Sequence, residues 1–254
     1  AVVIIRTIRF KPPVSEPLGQ ATYECNREKI VDDMSAMIRC KTVSYRDDEK
    51  IDKTEFVKFE NLLRERFPTV HKVCTFEKVG KTGLLYCLKG ASDSKPSVCM
   101  AHYDVVPIDE NGWDFPAFDG AVEQGYIRGR GTLDTKGTLC AIFEALETLL
   151  QQGYTPRNDL YLSFSGEEEV DGQTCADIVS HLEKMGVKPA IVLDEGGAVV
   201  ENVFPGVKSE CAVVGIGEKG SVNLDFTIKS KGGHASTPPV HTITADLAKA
   251  IVKI

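Results

Sequence analysis

The chain has 254 residues, 42% hydrophobic and 26% charged, with a net charge of −7, which is enough length to bury a core in one large domain or two smaller ones. An acidic chain without Lys/Arg runs is unsuited to nucleic acid, and no apolar run reaches membrane-spanning length. The eight cysteines (Cys25, Cys40, Cys74, Cys87, Cys99, Cys140, Cys175 and Cys211) form no C-x-x-C pair and read as reduced thiols of a cytoplasmic protein, not a disulfide frame or thiolate metal site.

In chain order, Ala1 to Ile5 is an apolar start running into Arg6 and Arg9. It reads as a first strand or helix turn, with the remnant of a signal or anchor segment as the alternative. Pro12, Pro13, Pro17 and Gly19 make an extended arm. Ile30, Met34, Met37 and Ile38 give helical spacing between Asn26 and Cys40; Phe56, Phe59, Leu62, Leu63 and Phe67 repeat it from Lys53 to Phe67, ahead of Pro68. Val70 to Cys74 and Gly83 to Leu88 read as a hairpin-like strand pair at a sheet edge. Ser97 to Ala101 is a buried strand that delivers His102 and Asp104. The loop from Asp109 to Gly125, with Trp113, Phe115 and Phe118, either borders a pocket or is pinned to the core by its aromatics.

Gly129, Gly131 and Gly137 flank Asp134, a carboxylate in a tight turn ahead of an apolar helix stripe from Leu139 to Leu150. Asp134 either points at a ligand or caps that helix. Leu160 to Ser165 is a strand running into Glu167, Glu168 and Glu169, adjacent carboxylates that need a cation or else stand in water. Cys175 to Lys184 is a helix. Ala190 to Leu193 is a strand that ends at Asp194 and Glu195. Strands alternating with helices predict an α/β fold, a mostly parallel sheet flanked by helices, with the strand ends along one rim. His102 with Asp104, Asp134, Glu168 with Glu169, and Asp194 with Glu195 then meet there, which favours one site over separate accidents.

Gly215, Gly217 and Gly220 match G-x-G-x-x-G, but Ser221 to Ile228 alternates as a strand where a dinucleotide site needs a helix. Residues 210–220 and 221–228 read instead as an antiparallel pair opening an α+β domain. The expected division is a catalytic domain over 1–208 and a lid or dimerisation domain beginning at 209–254. His234 lies in an accessible glycine turn, and the last ten residues read as a helix still in progress.

One histidine and several carboxylates without thiolates point to Zn²⁺, with Co²⁺ or Mn²⁺ as alternates. The carboxylates exceed the needs of one tetrahedral ion; two ions sharing Asp134 would use them, with an activated water between. Glu168 is the natural general base, since Glu169 can then turn to the metal, and Asp104 orients His102. His234 or Arg130 would supply the oxyanion donor.

His102-x-Asp104, Gly129-Arg-Gly-x-x-Asp134-x-Lys-Gly, Glu168-Glu169-x-x-Gly172, Asp194-Glu-Gly-Gly and Gly232-Gly-His234-Ala-Ser resemble the M20 metallopeptidases. The run from His102 to Pro107, with Trp113, Phe118 and Asp194-Glu-Gly-Gly, is most similar to the carboxypeptidase S and N-acyl-amino-acid hydrolase branch. The resemblance implies a di-zinc hydrolase of an amide bond next to a free carboxylate, acting on small peptides or N-acyl amino acids. It implies His102 on one zinc, Asp134 bridging both, Glu169 on the other, and Asp194 partnering His102. Asp104 orients His102, and Glu168 is the base. It also implies a cis bond after Asp134, and a homodimer in which His234 reaches the partner's active site. In the family a longer lid is followed by a return segment carrying a last His ligand. This sequence stops before both, and His241 is a poor substitute, so one zinc is expected to lack a ligand. A di- or tripeptide aminopeptidase is the near alternative. A non-catalytic metal-binding homologue or inactive fragment is the alternative of another class, opposed by the intact Glu168.

Overall fold

A computed structural model describes residues 2–10, 25–217, 219–220, 222, 224–234 and 236–253. The expected Pro/Gly arm lies outside the described residues. The chain forms two compact units, Ala1–Glu195 and Gly196–Ile254.

In the first unit, α1 (Val2–Arg9) precedes α2 (Arg27–Ile38), α3 (Lys53–Arg66), α4 (Pro68–Val73), β1 (Thr75–Val79), β2 (Gly83–Leu88) and β3 (Ser97–His102). A small hairpin, β4 (Val122–Glu123) and β5 (Tyr126–Ile127), leads to α5 (Lys136–Gln151), β6 (Leu160–Ser165), α6 (Thr174–Lys184) and β7 (Ile191–Leu193). Five of the strands form a sheet in the order β1-β2-β6-β3-β7. β6, β3 and β7 run parallel, while β1 and β2 are antiparallel, so the α/β sheet is mixed.

Strand alternation sorts the core into two layers. Leu84, Tyr86 and Leu88 of β2 face α2 to α5, joining Met37, Phe59, Leu63, Phe67, Leu139, Phe143 and Phe164. Leu85 faces the other way with Val98, Tyr161 and Ile178 of α6. Burying each large apolar side chain contributes about 1.5–3 kcal/mol. Local signals start the helices: the Asn26 side chain accepts from Lys29 N at 3.1 Å, and Asp52 from Thr54 N at 3.0 Å.

Residues 70–74, read above as a strand, lie mostly in α4, and the hairpin's first strand begins at Thr75. Pro68 starts that helix, and the buried Glu147 carboxylate of α5 accepts from Thr69 N (3.0 Å) and Val70 N (2.9 Å). Those amides would otherwise be unpaired at a helix start.

In the second unit, β8 (Ala198–Val200) pairs antiparallel with β9 (Cys211–Val213), and α7 (Ile243–Val252) is capped by the Thr242 hydroxyl. The expected pairing of 210–220 with 221–228 is not seen among the described residues: Cys211 to Val213 pairs backwards with β8 instead, and Glu218, Ser221 and Asn223 lie outside them.

Candidate metal centre

β3 carries His102 to the sheet's carboxyl rim, level with Ser165 at the end of β6. The ring is 2% exposed. Nδ1 lies 3.0 Å from the Asp104 carbonyl oxygen and 3.4 Å from its carboxylate. Nδ1–H thus donates inward and leaves Nε2 facing the rim, the arrangement of a metal-ligating histidine. Around Nε2 stand Asp134 Oδ1 at 2.8 Å, Glu195 Oε1 at 3.5 Å and Glu168 Oε2 at 3.8 Å. Burial opposes an imidazolium here, but Asp104, Glu195 and Asp134 outweigh it and raise the pKa to about 9.

Asp104 is fully buried. Besides facing His102, its Oδ1 accepts from Glu168 N and its Oδ2 from Glu169 N, each at 3.1 Å. One carboxylate therefore orients the imidazole and fixes the turn bearing two of the acids. Burial raises the pKa of both Glu168 and Glu169, reinforced by neighbouring carboxylates. Glu167, the first of the triplet, goes another way: it accepts the Thr174 hydroxyl, lies 3.4 Å from Lys81 Nζ, and its carbonyl takes Gly172 N at 2.8 Å. It shapes the turn while its neighbours face the rim.

Asp134 stands in the glycine turn before α5, and the Asp134–Thr135 bond is cis, as the resemblance implied. The turn presses on the core: at Gly131 (φ +89°) a Cβ would come within 2.8 Å of Val105 Cγ1. No Asp134 capping bond to α5 is seen; Thr135 is the N-cap residue. Lys136 follows, fully buried, and burial lowers its pKa to about 7.

His102, Asp134 and Glu195 each offer a ligand atom, all within 4.8 Å of one another. One imidazole nitrogen and two carboxylate oxygens fit a divalent cation of zinc type. The burial that raises the pKa of Glu195, with His102 opposing and Asp134 reinforcing, is what a cation would relieve. Of the two acids after β7, Glu195 converges on His102. Asp194, expected there, is exposed and not among the converging atoms; its charge is felt by Cys175 of α6. Adjacent residues of an extended chain face opposite sides, so only one can turn inward.

His234 belongs to the second unit, where its Nδ1 accepts from the Ser236 hydroxyl at 2.7 Å. Arg130 lies over the Trp113 ring, 5.3 Å from its centroid, and Arg128 over Phe115 at 5.6 Å. The aromatic loop thus grips the two arginines of the glycine run. It also borders a hollow of about 610 Å³ lined by Lys41, Trp113, Phe115 and Phe118 among others.

All eight cysteines are free, and among the described residues no helix is long and apolar enough to cross a membrane.

Comparison with known proteins gives the family. Residues 98–254 match the model of peptidase family M20/M25/M40. The chain is 36% identical to the N-fatty-acyl-amino acid synthase/hydrolase PM20D1 of Xenopus tropicalis, over 100% of this chain and 51% of that protein. It is 33% identical to a probable carboxypeptidase S-like protein of Dictyostelium discoideum, again over 100% of this chain and 51% of that protein. The chain thus spans about half the length of these relatives. The crystal structure of human carnosine dipeptidase 1 shares the fold at a TM-score of 0.55 and 18% identity, over 68% of this chain and 40% of that one. With a buried histidine and converging carboxylates on the rim of an α/β sheet, and these relatives, the chain belongs to peptidase family M20/M25/M40.

Proposed function

We propose that the whole protein is a zinc-dependent hydrolase of amide bonds next to a free carboxylate, a carboxypeptidase or N-acyl-amino-acid hydrolase. The observation that carries this is the meeting of His102, Asp134 and Glu195 with Glu168 beside them. The relatives' names support the substrate class.

His102 and Asp134 would hold one zinc, with Asp134 shared and Glu169 reaching a second. The ligand after β7 is the acid that faces His102, which in this geometry is Glu195, with Asp194 the alternative its motif match suggests. Bound zinc supplies Lewis acidity, polarising the scissile carbonyl and making water more acidic. Glu168 accepts the proton of the attacking water and returns it to the leaving amine. In the metal-free protein, burial and the neighbouring Glu195, Glu169 and Asp104 raise its pKa, and Asp104 holds its backbone in place. Residues 209–254, within the unit from Gly196, would belong to a lid or dimerisation domain, in which His234 serves the oxyanion and the protein acts as a homodimer.

The test is Glu168→Gln. Hydrolysis of N-acyl amino acids should fall by about 10²–10⁴-fold, with zinc content unchanged by elemental analysis. Persisting activity at full zinc content overturns the base assignment. Absence of zinc from gently purified wild-type protein overturns the metal centre.

A further inference from the structure

The chemistry above gives Lys136 no task, yet its side chain is 0% exposed. Burying an ammonium is costly unless its donors are satisfied and its charge opposed. Among the described residues no carboxylate lies within hydrogen-bond reach of Nζ. It donates instead to two backbone carbonyls, Cys40 O at 2.6 Å and Met37 O at 3.2 Å, and lies 5.3 Å from the centroid of the Phe59 ring. Met37 is in the last turn of α2 and Cys40 two residues past its end, where the negative end of the helix dipole favours a cation; the two carbonyls also accept backbone amides, from Cys40 N and Thr42 N.

A methionine would fill such a space without desolvating a charge. What the ammonium adds is a fixed link between two parts of the metal centre. At one end, Lys136 N donates to Gly131 O at 3.0 Å and closes the turn that carries Asp134. At the other, the chain leaving Cys40 runs beside the end of β3. Val105 N donates to Thr42 O at 3.0 Å, Ser44 N to Val105 O at 3.1 Å, and the Thr42 hydroxyl to Tyr103 O. Asp104 lies between Tyr103 and Val105, and His102 just before. Lys136 thus joins the Asp134 turn to the segment that holds the His102 strand end.

We propose that Lys136 is a positioning residue of the metal centre, setting Asp134 at its distance from His102 by gripping the Met37 and Cys40 carbonyls around the carboxyl end of α2. The inference rests on the metal-hydrolase reading above. It makes Lys136→Met a metal-affinity variant, beyond any loss of stability.

The experiment measures zinc affinity by chelator competition, the visible absorption of the cobalt-loaded protein, and the melting temperature. Wild type, Lys136→Met, Thr42→Val and a packing control, Leu63→Ala in α3, are compared. Lys136→Met should weaken zinc binding by about 10–100-fold, the range for residues that support ligands, and change the cobalt spectrum. Thr42→Val, cutting the other half of the link, should shift both in the same direction. Leu63→Ala should lower the melting temperature and leave affinity and spectrum at wild-type values. Wild-type affinity and spectrum in folded Lys136→Met overturn the inference, as does an equal affinity loss in Leu63→Ala. If Lys136→Met does not fold, Thr42→Val decides, and wild-type binding there overturns it. Wild-type protein that binds no zinc sinks the metal centre itself, an outcome distinct from all of these.

Discussion

β3 and β7 are neighbouring parallel strands, and each ends in a candidate ligand, but the two ends are built differently. At β3, His102 is 2% exposed and Asp104 buried, and His102 Nδ1 and both Asp104 carboxylate oxygens have partners. At β7, Ile191, Val192 and Leu193 are 57%, 50% and 61% exposed, and Glu195 reaches the rim from a three-residue strand. The β3 side holds its ligand by the protein's own hydrogen bonds, and the β7 side contributes mainly charge. Metal geometry should depend on the first, and the electrostatic balance of the metal-free protein on both.

Three experiments break or sharpen that contrast. The largest effect is expected from Asp104→Ala, which orphans the Glu168 and Glu169 amides and removes the carboxylate beside His102, leaving the ring only the backbone carbonyl. An unsatisfied buried amide costs about 1–3 kcal/mol, so the variant should lose about 3 kcal/mol in denaturant unfolding and bind zinc poorly. A loss below about 1 kcal/mol would show that the β3 end is not the fixed wall.

Next is the pH dependence of the zinc-stripped protein. His102 has a folded pKa near 9, above the unfolded value of about 6.5. Its contribution is therefore fully present below about pH 6.5 and lost as pH rises through about 9. At about 1.4 kcal/mol per unit this amounts to about 3 kcal/mol. The raised carboxyls Glu168, Glu169 and Glu195 act with the same sign, at lower pH. Melting temperature should fall from pH 6 to pH 10 in chelator, and His102→Gln should flatten the fall. A rise would contradict the charge balance described here.

The smallest effect separates the two acids after β7. Glu195→Gln should weaken zinc binding about tenfold, while Asp194→Asn should change stability by less than about 0.5 kcal/mol and leave zinc affinity in place. The reverse pattern in a calorimetric titration would return the ligand role to Asp194.

Much of this was legible in the sequence because it depends on local order. The stripes of α2, α3 and α5, the apolar run into His102 and the glycines around Asp134 each declare themselves within about a dozen residues. What was not legible depends on distant partners. Val70 to Cys74 is too short for periodicity to separate strand from helix; a proline and the far-off Glu147 decide it. Asp194 and Glu195 differ only in which side each faces, which needs the register of β7 on β3. Glu167 turns inward because Thr174 and Lys81 receive its carboxylate, a fact the acidic triplet does not contain. The pairing of β9 with β8 likewise depends on a partner upstream, where alternation in 221–228 suggested one downstream.

The two edges of the sheet also differ in what they invite. β1, at one edge, carries Glu77 and Lys78, and charges on an edge strand discourage another chain from adding to it. β7, at the other, is Ile-Val-Leu with no charge and half or more of each residue in solvent. Unpaired backbone beside exposed β-branched side chains is a template for self-association. Purified as this stretch alone, the protein should therefore be limited by aggregation along β7 before it is limited by unfolding. A lysine at Val192 should delay turbidity far more than one at Phe76.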